Sequence, residues 1–178
     1  MPTSDPSGLA PVIQEVMRLR PTKILDVGVG MGKWGLLFRE YLEGWGHHRY
    51  SKEQWKTRLH GVEVYKPYIQ PWHQAIYDVI QVGDVRNLLP ALPAVDLAYL
   101  GDVIEHMPKP DGHRLLKGLR AKHIIVSTPN KPTRMKRGKP NVHQDHKCRW
   151  TPADFRPYRH KVLRGLRGEA LLIVRVDK

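Results

Sequence analysis

Residues 24–35, ILDVGVGMGKWG, decide the fold. An apolar run containing Asp26 leads into glycines at 28, 30 and 32, and an amphipathic segment follows. This order predicts a buried strand, a glycine turn and a helix, because glycine lets the backbone approach a ligand and a helix N-terminus presents unpaired N–H groups. A dinucleotide fingerprint has its third glycine where this chain has Lys33. The spacing favours a nucleoside passing over the turn, and a plain tight turn is the simpler alternative.

Alternating strand and helix patterns extend outward from this turn. Strands are predicted at 23–30, 58–64, 79–85, 94–103, 123–130, 160–166 and 169–177, and helices at 8–19, 32–42, 67–78, 111–121 and 151–159. Such alternation predicts an α/β fold, a three-layer sandwich with helices on both faces of a mostly parallel sheet. Almost nothing separates the last two strands, so they pair antiparallel. We therefore expect seven strands with the last-inserted strand antiparallel.

Composition limits the classes of protein that fit. The 178 residues suit a single domain. No apolar run approaches the roughly 20 residues of a membrane span, and no secretory signal is recognisable, so no membrane association is expected. Cys148 is the only cysteine, which excludes an internal disulfide and predicts a reducing, cytoplasmic setting. Oligomeric state is left open.

The net charge is +13, from 30 Lys and Arg against 17 Asp and Glu. Such an excess favours polyanionic partners, namely nucleic acid, an anionic membrane surface or a phosphorylated metabolite. A general compositional bias is the alternative.

Two further strand ends carry acids. Glu63 ends the second predicted strand, where an open α/β sheet presents a carboxylate to ribose hydroxyls. It lies 63 − 28 = 35 residues after Gly28, more than the usual ~20, and a polar, aromatic insertion at 44–58 accounts for the excess. Asp84 follows the third strand, where it could accept a hydrogen bond from an adenine amino group, with the Val85 backbone beside it. A surface salt bridge is the alternative role for Glu63.

Five motifs occur in order: LDVGVGMGKWG, GVEV, GDV, DLAYLGDVIEHM and IIVSTPN. With them the chain resembles the class I S-adenosylmethionine-dependent methyltransferases over nearly its whole length. The resemblance implies a Rossmann-like sheet with S-adenosylmethionine across the carboxyl ends of strands one to four. It implies these contacts: Asp26, Gly28, Gly30 and Gly32 to the methionine part, Glu63 to the ribose, Asp84 and Val85 to the adenine, and the backbone at Gly101 to the methionine amino group. Val64, next to Glu63, is a further expected cofactor contact.

Two groups within this class are similar in finer detail. One is a broad set of bacterial methyltransferases sharing a late His-x-x-x-Trp-Thr-Pro segment, here 146–152. The other is the small-RNA 3′-terminal 2′-O-methyltransferases, in which acids and histidines bind a divalent metal. That pattern falls on Asp102, Glu105, His106 and His146 and implies Mg²⁺ or Mn²⁺. This chain departs from it at Asp102, where that group has glutamate, one methylene longer.

The stretch DVIEHMPKP, residues 102–110, thus has three readings. His106 or His146, with Glu105, could act as a base on a hydroxyl. The same side chains with Asp102 could hold a metal ion. In the third interpretation, Glu105 and His106 only cap a turn. A zinc site formed by His143, His146 and Cys148 lacks a recognisable fourth ligand.

We expect methyl transfer to an oxygen of a small metabolite, sugar or natural product. One alternative is a metal-assisted RNA 2′-O-methyltransferase, and another is a non-catalytic nucleotide-binding or interaction domain. Lys33 argues against a nicotinamide oxidoreductase. Partners would be a small-molecule or phosphorylated, anionic substrate, or RNA. Residues 44–58 and the basic loop 131–149 are expected near the active-site rim, where the loop clamps phosphates or is merely solvated.

Overall fold

A computed structural model describes residues 4–130, 141–164 and 169–178. One seven-stranded sheet runs through them. Its strands are β1 (Lys23–Val27), β2 (Arg58–Glu63), β3 (Val79–Val82), β4 (Val95–Gly101), β5 (Ala121–Pro129), β6 (Arg159–Arg164) and β7 (Leu171–Asp177). Their order is β3-β2-β1-β4-β5-β7-β6, and β7 is antiparallel to both of its neighbours. The predicted α/β architecture with an antiparallel inserted strand is confirmed.

Helices cover both faces of the sheet. They are α1 (Leu9–Leu19), α2 (Lys33–Arg39), α3 (Trp72–Ile76), α4 (Val85–Leu88) and α5 (Lys109–Gly118). Short 3₁₀ turns lie at Pro6–Gly8, Lys52–Gln54, Lys66–Tyr68, Leu89–Ala91, Ile104–His106, Val142–Gln144 and Pro152–Phe155, and a π-helical turn at Glu40–Gly44. None of the described helices is long and apolar enough to cross a membrane. The compartment stays a prediction.

Amphipathic helices fix the two layers around the sheet. Helix α1 buries Val12, Ile13 and Val16, one face of a 3.6-residue period, in the apolar cluster shared with β1 and α2. Helix α5 buries Leu115 and Leu116 in the cluster on the opposite face. Each such side chain contributes about 1.5–3 kcal/mol on burial. The strands are consequently covered on both sides, as a parallel sheet requires.

Local signals account for most differences from the predicted boundaries. Helix α3 begins just after Pro71, within the predicted range 67–78, since proline is favoured at a helix start. Helix α4 was not predicted, and Asp84 starts it by accepting a hydrogen bond from the Arg86 N–H. The expected helix at 151–159 is a single 3₁₀ turn with Thr151 as N-cap.

The insertion at 44–58 lies away from the position expected for it. Glu43 accepts hydrogen bonds from Arg49 (2.6 Å) and from the backbone N–H of Thr57 (2.7 Å), and the Arg39 guanidinium stacks on the Trp55 ring at 4.0 Å. These contacts hold the insertion beside Arg58, the first residue of β2. It therefore sits by the amino end of that strand, opposite the carboxyl ends where the large cavity described below opens.

Candidate active site

A cavity of about 790 Å³ opens at the carboxyl ends of the central strands. Its wall is formed by the turn after β1, the ends of β2 and β3, the segment after β4 and the described part of the chain after β5. These predicted site residues line it: Gly28, Gly30, Glu63, Val64, Asp84, Val85, Gly101, Asp102, Glu105, His106 and His146. No residue of 44–58 does, so the expectation that this insertion borders the site is not met at this cavity.

The glycine turn lies close against the end of β4. Gly28 adopts φ +81°, and a Cβ there would come within 2.7 Å of the Val103 Cγ2 atom. A side chain would therefore clash as well as strain the backbone. The Gly28 N–H donates to the Val62 carbonyl (2.8 Å), which ties the turn to β2.

Glu63 is buried and held in one orientation. Its Oε2 accepts a hydrogen bond from the Gly30 N–H (2.8 Å), and its Oε1 accepts one from the Tyr65 N–H (2.9 Å). Each carboxylate oxygen has a second lone pair, so Glu63 can accept further hydrogen bonds from a ligand in the cavity.

Asp84 lies at the next strand end. Its carboxylate forms an ion pair with Arg86 (2.5 Å), and Arg86 also reaches Asp111 (2.9 Å). The hydrogen bond from Arg86 holds the pKa of Asp84 below its usual range, although partial burial opposes it. Asp84 thus presents an ionised acceptor to the cavity.

Asp26 and Gly32 do not line the cavity. Asp26 is buried beneath the glycine turn, and its Oδ2 accepts a hydrogen bond from the Tyr77 hydroxyl at 2.5 Å. The pKa of Asp26 is raised to about 7, chiefly because burial disfavours the charged carboxylate. The hydrogen bond from Tyr77 opposes this rise, and the charge of Glu63 adds to it. Gly32 faces the buried His73 ring instead. The geometry therefore does not support direct contact of Asp26 or Gly32 with a ligand in this cavity.

Glu105, His106 and His146 converge on one point of the cavity wall. One ligand atom from each lies within 4.8 Å of the others. The Glu105 carbonyl accepts the backbone N–H groups of Lys147 (2.7 Å) and Cys148 (3.2 Å), which brings the segment carrying His146 to the end of β4. The two imidazole rings meet edge to face with centroids 4.8 Å apart.

The Glu105 carboxylate is buried and only partly satisfied. Its Oε2 accepts a hydrogen bond from the Thr128 hydroxyl (2.9 Å), whereas its Oε1 has no hydrogen-bond partner among the described residues. Burial raises the pKa of Glu105, and the charge of Asp102 adds to the effect. A buried carboxylate that has one unsatisfied oxygen and lies beside two imidazoles is suited to a proton or a cation.

The other proposed metal ligands lie apart from this cluster. Among the described residues, the group with metal-ligand spacing contains neither Asp102, His143 nor Cys148. The Cys148 thiol donates to the Met107 carbonyl (3.1 Å). A zinc site of His143, His146 and Cys148 therefore has no geometric support, and Asp102 does not complete the cluster.

Several lining residues were not found from the sequence. The Tyr68 hydroxyl accepts hydrogen bonds from the side chains of Asn141 (3.1 Å) and Gln144 (2.7 Å), so the chain after β5 meets the chain after β2 across the cavity. Ser4 and Asp5 line the cavity as well. No local pattern marks these residues, because their contacts join positions far apart in the chain.

No protein-family model and no curated protein sequence matches the chain. Solved structures do match it. The methyltransferase domain of bacterial CtHen1 aligns over 96% of this chain and 97% of its own, with a TM-score of 0.63 and 17% identity. The fold is that of the class I methyltransferases.

Two further structures share this methyltransferase fold. The N-terminal domain of EvdMO1 with SAH bound aligns over 98% of this chain and 82% of its own, with a TM-score of 0.65 and 18% identity. A SAM-dependent methyltransferase from Archaeoglobus fulgidus aligns over 96% and 94%, with a TM-score of 0.62 and 14% identity. At these identities the likeness concerns the fold.

Proposed function

We propose that this protein is an S-adenosylmethionine-dependent methyltransferase acting on an oxygen atom. The observation that carries the proposal is the cavity of about 790 Å³ across adjacent strand ends, with the Glu63 carboxylate at the end of the second strand. Its volume lies in the range of sites for small organic ligands. Ligands of open α/β sheets bind outside the carboxyl ends of the strands, where this cavity lies.

The residues present fit this cofactor. Glu63 offers remaining lone pairs to a ribose diol, and Asp84 with the Val85 backbone lies at the neighbouring strand end for the adenine. The missing Cβ at Gly28 leaves room between the glycine turn and Val103. When bound, S-adenosylmethionine supplies an electrophilic methyl group on a sulfonium. An acceptor oxygen attacking that carbon in line would expel the neutral thioether S-adenosylhomocysteine, so the chain's own residues would have to orient the acceptor and remove its proton.

His106 and His146 are the proposed bases. His106 Nδ1 lies 3.3 Å from the Asp145 carbonyl. The tautomer with its proton on Nδ1 donates to that carbonyl and carries its lone pair on Nε2. Glu105, beside both rings, stabilises the imidazolium that forms when a hydroxyl proton is accepted. The first candidate acceptor is therefore a small hydroxyl-bearing metabolite, sugar or natural product.

A second candidate is metal-assisted transfer to a ribose 2′-hydroxyl of RNA. Two imidazoles and the unsatisfied Glu105 carboxylate lie within 4.8 Å of one another, and the chain carries a net charge of +13. A bound divalent cation lowers the pKa of a coordinated hydroxyl, and the charge favours a polyanion. A set of two nitrogens and one oxygen suits Mn²⁺ better than Mg²⁺, which prefers oxygen ligands.

The domain boundaries belong to the same proposal. We take residues 1–178 as a single methyltransferase domain in which the chain after β5 forms one wall of the acceptor site. Residues 141–149 support this, since Asn141, His143, Gln144, His146 and Lys147 line the cavity. Residues 131–140, the rest of the predicted basic loop, lie outside the described residues.

The test is transfer of labelled methyl from S-adenosylmethionine to total RNA and, separately, to a small-metabolite extract, each with and without EDTA. Label in the metabolite fraction regardless of EDTA supports the first candidate, and label in RNA that EDTA abolishes supports the second. His106→Ala should lower transfer, whereas His47→Ala, an exposed histidine in the insertion, should not. Binding of S-adenosylhomocysteine without transfer to any acceptor would favour a non-catalytic nucleotide-binding domain. Failure to bind it would refute the proposal.

A further inference from the structure

Lys33 and Asp102 line the same end of the cavity and have no part in the mechanism above. Lys33 is the first residue of α2, directly after the glycine turn, and Asp102 directly follows β4. The turn and the strand end lie close together, since a Cβ on Gly28 would be 3.7 Å from the Gly101 carbonyl oxygen. An ammonium and a carboxylate are thereby brought to one wall.

The backbone at Asp102 is in a conformation that residues other than glycine rarely adopt. Its φ is +53°, and its N–H donates to the Ser127 carbonyl (2.8 Å). Strain of this kind concentrates at ligand sites, where it aims a side chain. Burial raises the pKa of Asp102, while Ser4 and the charge of Lys33 lower it. Asp102 is thus a partly buried acid near Lys33, and a cationic group of a ligand placed against it would stabilise its charged form.

The N-terminal segment lies over both side chains. Lys33 Nζ donates to the Ser4 carbonyl (2.8 Å), and the Trp34 indole N–H donates to the Ser4 hydroxyl (3.3 Å). Ser4 and Asp5 also line the cavity. Lysine has three N–H donors and a carboxylate has about four acceptor sites, so both charged groups can bind a ligand while Ser4 stays in place.

Other cations in the cavity wall are placed differently. The described residues that line it include two more Lys or Arg side chains, Arg86 and Lys147. Arg86 is bound to Asp84 and Asp111 by the end of β3, and Lys147 follows His146 on the wall after β5. Of these three described cations, Lys33 is therefore the one that lies beside the glycine turn.

We propose that Lys33 and Asp102 together bind the amino acid end of S-adenosylmethionine, Lys33 its carboxylate and Asp102 its ammonium. This rests on the proposed function. An α-amino acid carries both charges on one carbon, so it is matched by a cation and an anion on the same wall. Asp102 thereby has a role other than that of a metal ligand, and the lysine that breaks the dinucleotide fingerprint becomes a selectivity determinant.

The test is calorimetric binding of three ligands that differ only at this end. All three are thioethers: S-adenosylhomocysteine carries both charges, its decarboxylated analogue S-adenosyl-3-thiopropylamine keeps the ammonium alone, and 5′-methylthioadenosine has neither. Lys33→Met should weaken the first about 10- to 100-fold and not weaken the other two. Asp102→Asn should weaken the first two and spare the third. Lys33→Arg, which keeps the charge, should restore most of the affinity.

Lys147→Met is the matched control, because it removes a cation from the other wall, and it should leave the ratio of the three affinities unchanged. Unaltered binding of S-adenosylhomocysteine by Lys33→Met would overturn the assignment. So would equal weakening of all three ligands, since that pattern means general damage to the cavity. Failure of the unaltered protein to bind S-adenosylhomocysteine would instead overturn the proposed function.

Discussion

Replacing Asp26 with asparagine should change how stability depends on pH. Asp26 is buried, and burial raises the pKa of its carboxyl group from its ordinary value of 3.8 to about 7. In the folded protein the group keeps its proton up to about pH 7, whereas in the unfolded chain it loses it near pH 4. The folded state then binds more protons across this window, so the stability contributed by this group falls as pH rises through it.

The magnitude follows from the difference between the two pKa values. A shift of about 3 units at 1.36 kcal/mol per unit corresponds to about 4 kcal/mol between pH 4 and pH 7. Asparagine does not titrate. The free energy of unfolding of Asp26→Asn should therefore rise relative to that of the unaltered protein, by up to this amount, as the pH increases from 4 to 7. At pH 4, where Asp26 is largely protonated, the two proteins should differ least in charge.

Urea unfolding of both proteins at several pH values between 4 and 8 measures this effect. Only the difference between them matters, because other groups titrate equally in both. Tyr77→Phe serves as a control, since it removes the hydroxyl that donates to Asp26 and keeps the titrating carboxyl group. A stability difference between Asp26→Asn and the unaltered protein that is constant with pH would refute a raised pKa at this position.

Glu63→Gln should weaken S-adenosylhomocysteine binding about 10- to 100-fold in calorimetry, because a charged acceptor for the ribose is lost; equal affinity would exclude Glu63 from the site. Gly28→Ala should lower the free energy of unfolding by about 2–4 kcal/mol in urea, from left-handed backbone strain plus a clash at 2.7 Å. Gly46→Ala, with φ +70° and open space around it, should lose only about 1–2 kcal/mol, and similar losses at both positions would argue against the clash. His146→Ala should abolish binding of Mn²⁺ titrated into the protein, whereas His143→Ala should not; Mn²⁺ bound equally by both would rule out the cluster as its site.

The seven strands and the antiparallel pairing of the last two could be predicted because their causes are local. Each apolar run between turn residues forms a strand, and the short connection before the last strand forces antiparallel pairing with β6. Glu63 and Asp84 were found for the same reason, since a position at the end of a strand can be recognised from the neighbouring residues.

Features that depend on contacts between distant residues could not be predicted from local sequence patterns. Asp26 belongs to the glycine motif, yet its carboxylate is turned to Tyr77, 51 residues away, and so lies outside the cavity. In the sequence, Lys33 is recognisable only as a departure from the dinucleotide fingerprint. Its place in the cavity wall depends on its interactions with Ser4 and Asp102, which are distant in the chain. The convergence of His146 on Glu105 and His106 was expected only from the resemblance to the small-RNA methyltransferases, because no local pattern fixes the path of the chain after β5.

The insertion at 44–58 gives the fold room to change its length during evolution. Its stem is anchored by Arg39 and Glu43 beside the start of β2, whereas Trp45 and Tyr50 remain 64% and 75% exposed. Residues can be gained at 46–48, ahead of Arg49, whose guanidinium binds Glu43, without shifting the register of β2 against β1. Such variation would be selectively neutral for the chemistry at the opposite end of the strands. A peptide tag or fluorescent reporter placed at this tip would accordingly leave the cavity intact.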